Sequence, residues 1–238
     1  FERIQLARND FSKKDPSRDR GPTKVKPNKL DVFVPGIGVH LELTQHWGIF
    51  GGLHRGFSPP GPGSNEDTSP EESLNYEFGV RHAGSVSASA TVFYNDYTNL
   101  LGADTLSSGG TGEGDLYNGG QAKDFGLELS AGSDLGRIWN NPISIPMQFS
   151  YTFTDAEFLS SFESDFDPWG NVHSGDSLPY IPQQQIYTSI GLGKAPWHLN
   201  YDNYFVDSMR TRAGRGPIVE SLSTDSHWVS NVTGEFRL

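Results

Sequence analysis

Three arginines, Arg210, Arg212 and Arg215, fall within one short stretch of a chain whose formal net charge is −11. A guanidinium is a planar fork that grips a carboxylate or phosphate through two parallel hydrogen bonds, so this run is the best candidate for holding an anionic ligand. The plainer alternative is a solvated loop, or contact with lipopolysaccharide phosphate. Acids gather upstream. Glu157, Glu163, Asp165 and Asp167 are hard oxygen donors of the kind calcium takes, although a hydrated surface explains them as well. Asp155, Asp165, Asp167, His173 and Asp176 are the residue types with which a hydrolase activates water, but no motif anchors them. The run from Ser107 to Asp115 has the glycines of a phosphate loop without the following Lys-Ser/Thr, and acids stand where an anion would lie. As a Gly-Asp repeat it is a single imperfect copy, too few to stack into a calcium site. Asn231-Val232-Thr233 matches a glycosylation acceptor but lies within a strand. There is no cysteine, which removes disulfides, thiolate zinc sites and thiol nucleophiles together. No catalytic residue, resident metal or cofactor is read from the chain.

The elements that must position these groups alternate with a period of two. In residues 73–82, Leu74, Tyr76, Phe78 and Val80 fall on one face, and Ser73, Asn75, Glu77, Gly79 and Arg81 on the other. Residues 124–131 and 33–43 repeat the pattern: Phe125, Leu127, Leu129 and Ala131 oppose Asp124, Gly126, Glu128 and Ser130, and Phe33, Ile37, Val39 and Leu41 oppose Gly36, Gly38, His40 and Glu42. One face suits lipid and the other needs water, the pattern of an antiparallel transmembrane β-barrel. The chain has a mean hydropathy of −0.51 and is 34% hydrophobic. A low average does not exclude the membrane, because a barrel wall meets lipid only at every second residue. No apolar run approaches the roughly 18–20 residues of a spanning helix. The acidic balance argues against nucleic acid, whose phosphates demand concentrated Lys and Arg.

Strands are expected near 1–8, 31–43, 47–57, 73–82, 86–97, 121–132, 143–157, 182–193, 196–207 and 224–237. That makes about ten, most of them near the roughly 9–11 residues a tilted strand needs to cross a bilayer. Tight connections at Thr44–His46, Ala83–Ser85 and Gly193–Ala195, and a somewhat longer one around Ser133–Pro142, alternate with long ones at 9–30, 58–72, 98–120, 158–181 and 208–223. The long ones are rich in Gly, Pro, Ser, Asp and Asn, which favour turns over sheet ladders. Short turns on one rim and long loops on the other give periplasmic and extracellular sides. Trp47, Phe57, Tyr76, Tyr151, Phe153, Trp197, Phe205, Trp228 and Phe236 read as interfacial girdle residues, with a sugar-stacking platform as the alternative. Glu77, Arg81, Asp124, Glu128 and Asp202 share the water-facing phase and are expected to pair with one another or with whatever fills the lumen. The chain opens at Phe1 without an initiator Met or a leader, and its last strand has no obvious closing partner. Open edges in lipid are costly, so this reads as an internal stretch of a larger barrel.

Several segments carry a family resemblance. Gly52-Leu53-His54-Arg55-Gly56-Phe57-Ser58-Pro59-Pro60, followed by Pro70-Glu71-Glu72-Ser73-Leu74-Asn75-Tyr76-Glu77-Phe78-Gly79, resembles the barrel of TonB-dependent outer-membrane receptors. Residues 90–101, Tyr117-Asn118-Gly119-Gly120, Phe153-Thr154-Asp155-Ala156-Glu157-Phe158 and Met209-Arg210-Thr211-Arg212-Ala213-Gly214 resemble the ferric citrate branch. The resemblance implies a 22-stranded barrel with a plugged lumen. Residues 1–238 would be a partial barrel domain, without the plug domain and the final strands. It also implies a bacterial outer-membrane location, uptake of a ferric chelate, and energy from the TonB complex through the plug. Iron would enter only as part of the cargo. For an anionic ferric citrate-like ligand, Arg210, Arg212 and Arg215 are the foremost contacts, with His54, Asn118 and Gln121 as further lumen-side candidates. Two other functions compete: a small closed outer-membrane barrel with protease-like activity, and a soluble β-rich carbohydrate-binding module using Trp169, Tyr180 and Trp197.

Overall fold

The structure, a computed structural model, describes residues 2–6, 28–60, 69–103, 105 and 116–237. The Gly-rich run from Ser107 to Asp115 lies outside the described residues. In chain order the strands are β1 (Glu2–Leu6), β2 (Asn28–Val32), β3 (Gly36–Glu42), β4 (Trp47–Ser58), β5 (Glu71–His82), β6 (Val86–Thr98), β7 (Leu101–Ala103), β8 (Leu116–Asn118) and β9 (Ala122–Asp134). A one-turn helix, α1 (Leu135–Ile138), precedes β10 (Pro146–Phe158), β11 (Phe162–Glu163), β12 (Asn171–Val172), β13 (Gln184–Lys194), β14 (Trp197–Val206), β15 (Met209–Arg210), β16 (Ser223–Thr224) and β17 (His227–Phe236).

Nine strands form one antiparallel sheet in the order β17-β14-β13-β10-β9-β6-β5-β4-β3, so the long strands that follow each other in the chain lie side by side. The register keeps the apolar phase unbroken across it: Leu53 opposes Tyr76, Tyr76 opposes Tyr94, Val92 opposes Leu127, and Leu127 opposes Phe153. Tyr151 then opposes Ile186, Ile186 opposes Phe205, and Phe205 opposes Trp228. A slip of one residue anywhere would turn a strand's apolar set to the polar side. The expected strand over 31–43 is divided into β2 and β3 by Phe33-Val34-Pro35. Pro35 has no N–H for the ladder, but its carbonyl still accepts from Arg55 N (2.9 Å), so the run stays beside β4. β1 pairs separately with β2, Glu2 opposite Val32.

The aromatic girdle follows from the same phase. Trp197 packs on Phe236 (4.5 Å between centroids) at one end of β14, and Phe205 on Trp228 (4.7 Å) at the other. The eight steps from 197 to 205 span about 27 Å along the strand at about 3.4 Å per residue. At a tilt of about 40° that becomes roughly 21 Å across the membrane, close to the apolar band of outer-membrane barrels. Among the described residues no helix is long and apolar enough to cross a membrane; the strands are the spanning elements.

The two rims differ as the alternation of loop lengths predicts, with two departures. On the short rim, residues 135–145 hold α1 rather than a plain turn. Asp134 builds it by accepting from Gly136 N (2.9 Å) as the helix cap, from Ile145 N (2.8 Å) and from Ser144 Oγ (2.7 Å). On the long rim, the loops expected to hold no ladder carry three short ones, β7–β8, β11–β12 and β15–β16. Turn-favouring composition is a local tendency, and tertiary packing overrides it here.

Candidate functional site

That packing centres on Trp169. Phe158, Phe166, Trp169, Val172 and Ala122 form a buried cluster, with Tyr97, Leu100, Tyr117, Phe162, Leu178 and Ala213 against it. The Trp169 ring lies 5.6 Å from Phe158, 5.8 Å from Phe162 and 5.3 Å from Phe166, each nearly edge-on, the geometry that aromatic quadrupoles favour. Two glycines make room for it: a methyl group at Gly102 or Gly119 would sit 2.6 Å from the ring. Tyr117 stacks on Phe166 at 5.4 Å, and Ala213 N donates to Pro168 O (2.8 Å). Three loops, those joining β6 to β9, β10 to β13, and β14 to β17, thus share one core. By alternation Ala122 lies on the face of Asp124, and Phe158 on the face of Ala156 and Thr154. The core therefore covers the polar side of the sheet, and the loops fold inward over it.

The arginines sit within this assembly, in three different situations. Arg212 donates from Nη2 to both carboxylate oxygens of Asp167, at 2.8 Å and 2.7 Å. Arg215 Nε lies 3.3 Å from Asp176, whose side chain is 9% exposed; that carboxylate also accepts from His173 N (2.7 Å). Arg210 donates to Gly216 O (2.9 Å) and lines a cavity of about 300 Å³. The structure does not converge the three guanidinium groups on one ligand; two are committed to carboxylates from the neighbouring loop.

Asn118 fastens loops as well. It accepts from Ser69 N (3.2 Å) and donates to Ser69 O (3.1 Å), joining the β4–β5 connection to β8. Gln121 is held through its backbone, donating to Ser160 Oγ (2.9 Å) and accepting from Leu159 N (2.8 Å), while its side chain is exposed. The β10–β13 loop thus reaches Gln121 at one end and Arg212 and Arg215 at the other. His54 stands apart on β4, lying so flat on the polar face that a methyl group at Gly52 would meet its ring at 2.5 Å.

The water-facing charges do not pair with one another among the described residues. Asp202 accepts from Tyr187 OH (2.8 Å) and Asn200 Nδ2 (2.8 Å), and Arg81 lies over the Phe50 ring at 5.2 Å. No group of three or more His, Asp or Glu side chains is placed to hold a metal ion among the described residues, and Glu157 is paired with Lys123 at 2.9 Å. Sequence reasoning missed the Trp169 core. Its signal was Phe158, Phe162, Phe166 and Trp169 crowded into a supposed loop, where solvated turns have no use for so much aromatic surface.

An amphipathic meander with girdles, one short-turned rim and a folded cap of long loops matches known proteins. The chain matches the TonB dependent receptor-like β-barrel family over residues 7–238. It belongs to that family. It is 28% identical over 152 residues to the ferric-pyoverdine BN7/BN8 receptor of Pseudomonas putida, covering 56% of this chain and 18% of that protein. The ferric yersiniabactin uptake receptor FyuA of Yersinia pestis superposes with a TM-score of 0.62 at 17% identity, over 89% of this chain and 30% of FyuA. The ferric citrate transporter FecA in its unliganded form gives 0.59 at 19% identity, over 84% of this chain and 30% of FecA. The chain therefore spans a third or less of the length of these relatives. At such identities the superpositions establish the fold alone.

In a member of the TonB dependent receptor-like β-barrel family, the site has a clear layout: an apolar face outside, a polar wall inside, and a preassembled loop cap above. Among the described residues, several groups that the competing functions would use are otherwise engaged. Trp169 is 7% exposed and closed off from a sugar, and Trp197 is turned outward onto Phe236. Asp167, Asp176 and His173 of the hydrolase set are tied to arginines or to each other.

Proposed function

We propose that this chain forms part of the barrel of a bacterial outer-membrane receptor that imports a ferric chelate, with energy delivered by the TonB complex through a plug domain. The match to the receptor family over residues 7–238 carries this reading. It is supported by the apolar belt, the polar inner wall and the loop cap folded over that wall, and by a curated relative named for a ferric siderophore. Within the class, a ferric citrate-like anion is the finer reading. Its support is the arginine run, in which Arg210 keeps donors free while Arg212 and Arg215 would first have to leave Asp167 and Asp176.

The test is uptake of radiolabelled iron by cells producing the full-length protein, with ferric citrate and ferric pyoverdine as separate cargoes and with TonB present or deleted. TonB-dependent accumulation of either sustains the receptor reading, and its absence with both refutes an iron cargo of these kinds. Replacing Arg210, Arg212 and Arg215 together with alanine weakens ferric citrate binding; unchanged affinity removes them from the site.

A further inference from the structure

At the loop rim β10 and the chain that leads into β13 part company. Leu178 N donates to Ala156 O (3.0 Å) and Thr154 N to Gln183 O (3.0 Å), so the two steps from 154 to 156 oppose the five steps from 178 to 183. Pro179 to Pro182, opposite Asp155 alone, are thrown out as a bulge. Tyr180 sits in it at φ 61, a left-handed conformation that a bulky residue holds only where its surroundings impose it. Its N–H is fixed to the carbonyl of Arg210 (2.9 Å). The bulge leaves the cavity of about 300 Å³ between β10 and the segment from Ser208 to Ile218, at the small end of ligand-sized pockets.

Two opposite charges line this cavity, Asp155 and Arg210, and no ion pair joins them. The side chain of Asp155 makes no hydrogen bond or ion pair among the described residues, and Lys123 is already engaged 2.9 Å from Glu157. Arg210 donates from Nη2 to Gly216 O, which leaves Nη1 and Nε for a ligand. Leu178, Ile181 and Ile218 supply an apolar wall. A ligand with a single charge would satisfy one of the two groups and desolvate the other, at a cost.

We propose that this cavity binds a zwitterion of amino-acid size, its carboxylate on the free donors of Arg210, its ammonium on Asp155, and its aliphatic body against Leu178, Ile181 and Ile218. A free α-amino acid and an amino-acid end group on a larger molecule share this chemistry. The site has Arg210 in common with the chelate reading above but is tested without iron, so either can fail alone.

The test is calorimetric titration of the full-length protein in detergent micelles with L-leucine, with its one-charge analogues 4-methylpentanoate and 3-methylbutylamine, and with Nε-acetyl-L-lysine. L-Leucine binds about tenfold or more tighter than either analogue, as one charge-assisted hydrogen bond allows. Asp155→Asn weakens L-leucine by a similar factor while 4-methylpentanoate, relieved of the stranded carboxylate, binds at least as tightly as before, which also shows that the pocket is intact. Arg210→Gln weakens L-leucine, whereas 3-methylbutylamine binds at least as tightly as before. Nε-acetyl-L-lysine binding as well as L-leucine assigns the site to an end group, and weaker binding assigns it to a free amino acid. Equal affinity for L-leucine and its one-charge analogues, or no L-leucine binding at millimolar concentration, overturns the proposal.

Discussion

Replacing Trp169 with alanine removes the side chain on which three loops converge. Trp169 is 7% exposed, and truncating a packed tryptophan costs about 3–5 kcal/mol. Apart from Phe158 and Ala122, at the outer ends of β10 and β9, the ring packs against loop residues, so the loss falls mainly on a sub-global opening of the cap. At about 1.4 kcal/mol per tenfold, amide exchange in the cap should accelerate by roughly two to four orders of magnitude, up to the limit set by the cap's own stability. Hydrogen exchange by mass spectrometry on the micelle-bound protein reads this directly. The informative amides are Ala213 N, bonded to Pro168 O, and Leu159 N, bonded to Gln121 O. The inner part of the β9–β10 ladder, which pairs Pro146 with Asp134 through to Phe153 with Leu127 and stays clear of the core at Phe158 and Ala122, serves as the internal control. Gly119→Ala is the companion change, because its methyl would lie 2.6 Å from the ring and overpack the core by about 1–3 kcal/mol. In the double variant the space left by the indole accepts that methyl, so the two costs fall short of additive. Unchanged cap exchange in Trp169→Ala, or an equal rise in the β9–β10 ladder, would refute the view that the loops share one core.

The two arginine pairs should differ. Arg212 and Asp167 are 52% and 77% exposed, so their coupling in a double-mutant cycle comes to about 0.2–1 kcal/mol and fades with salt, whereas Arg215→Ala strands the buried Asp176 and accelerates exchange at His173 N, bonded to it at 2.7 Å. Val92→Arg places a charge on the apolar face, where Val92 is 51% exposed, and should cost about 2–4 kcal/mol in reversible folding into vesicles; Thr91→Arg, on the polar face, costs much less. Gly126→Ala should lower the unfolding midpoint, because the methyl would press on the Phe153 carbonyl and lie 2.5 Å from the Phe93 ring, while Gly234→Ala meets nothing within 4 Å and is tolerated.

The spanning sheet was legible because lipid and water on its two sides impose a period of two over many residues. Expected strands over 73–82 and 196–207 correspond to Glu71–His82 and Trp197–Val206. The one-turn helix Leu135–Ile138 was not legible, being too short to show a helical period. The pairing of Arg212 with Asp167, 45 residues apart, was hidden for a different reason. Charge in a sequence shows which groups seek partners, and only the folded chain shows which have found them. The same holds for Trp169, whose partners Gly102 and Gly119 come from another loop.

These two concealed features explain each other. Loops rich in Gly, Pro and Asp bury little apolar surface on their own and would not outweigh the entropy of ordering them. Pooling Phe158, Phe162, Phe166 and Trp169 into one core supplies that surface. Once the core holds the loops together, the arginines of one lie within reach of the aspartates of another, and opposite charges close the outer edge where the core cannot extend. A run of like charges that looked reserved for a ligand is thus largely consumed by assembling the cap. What remains for a ligand is the side of the assembly that neither force has filled: the free donors of Arg210, the unpaired Asp155 and the cavity opened by the bulge at Tyr180.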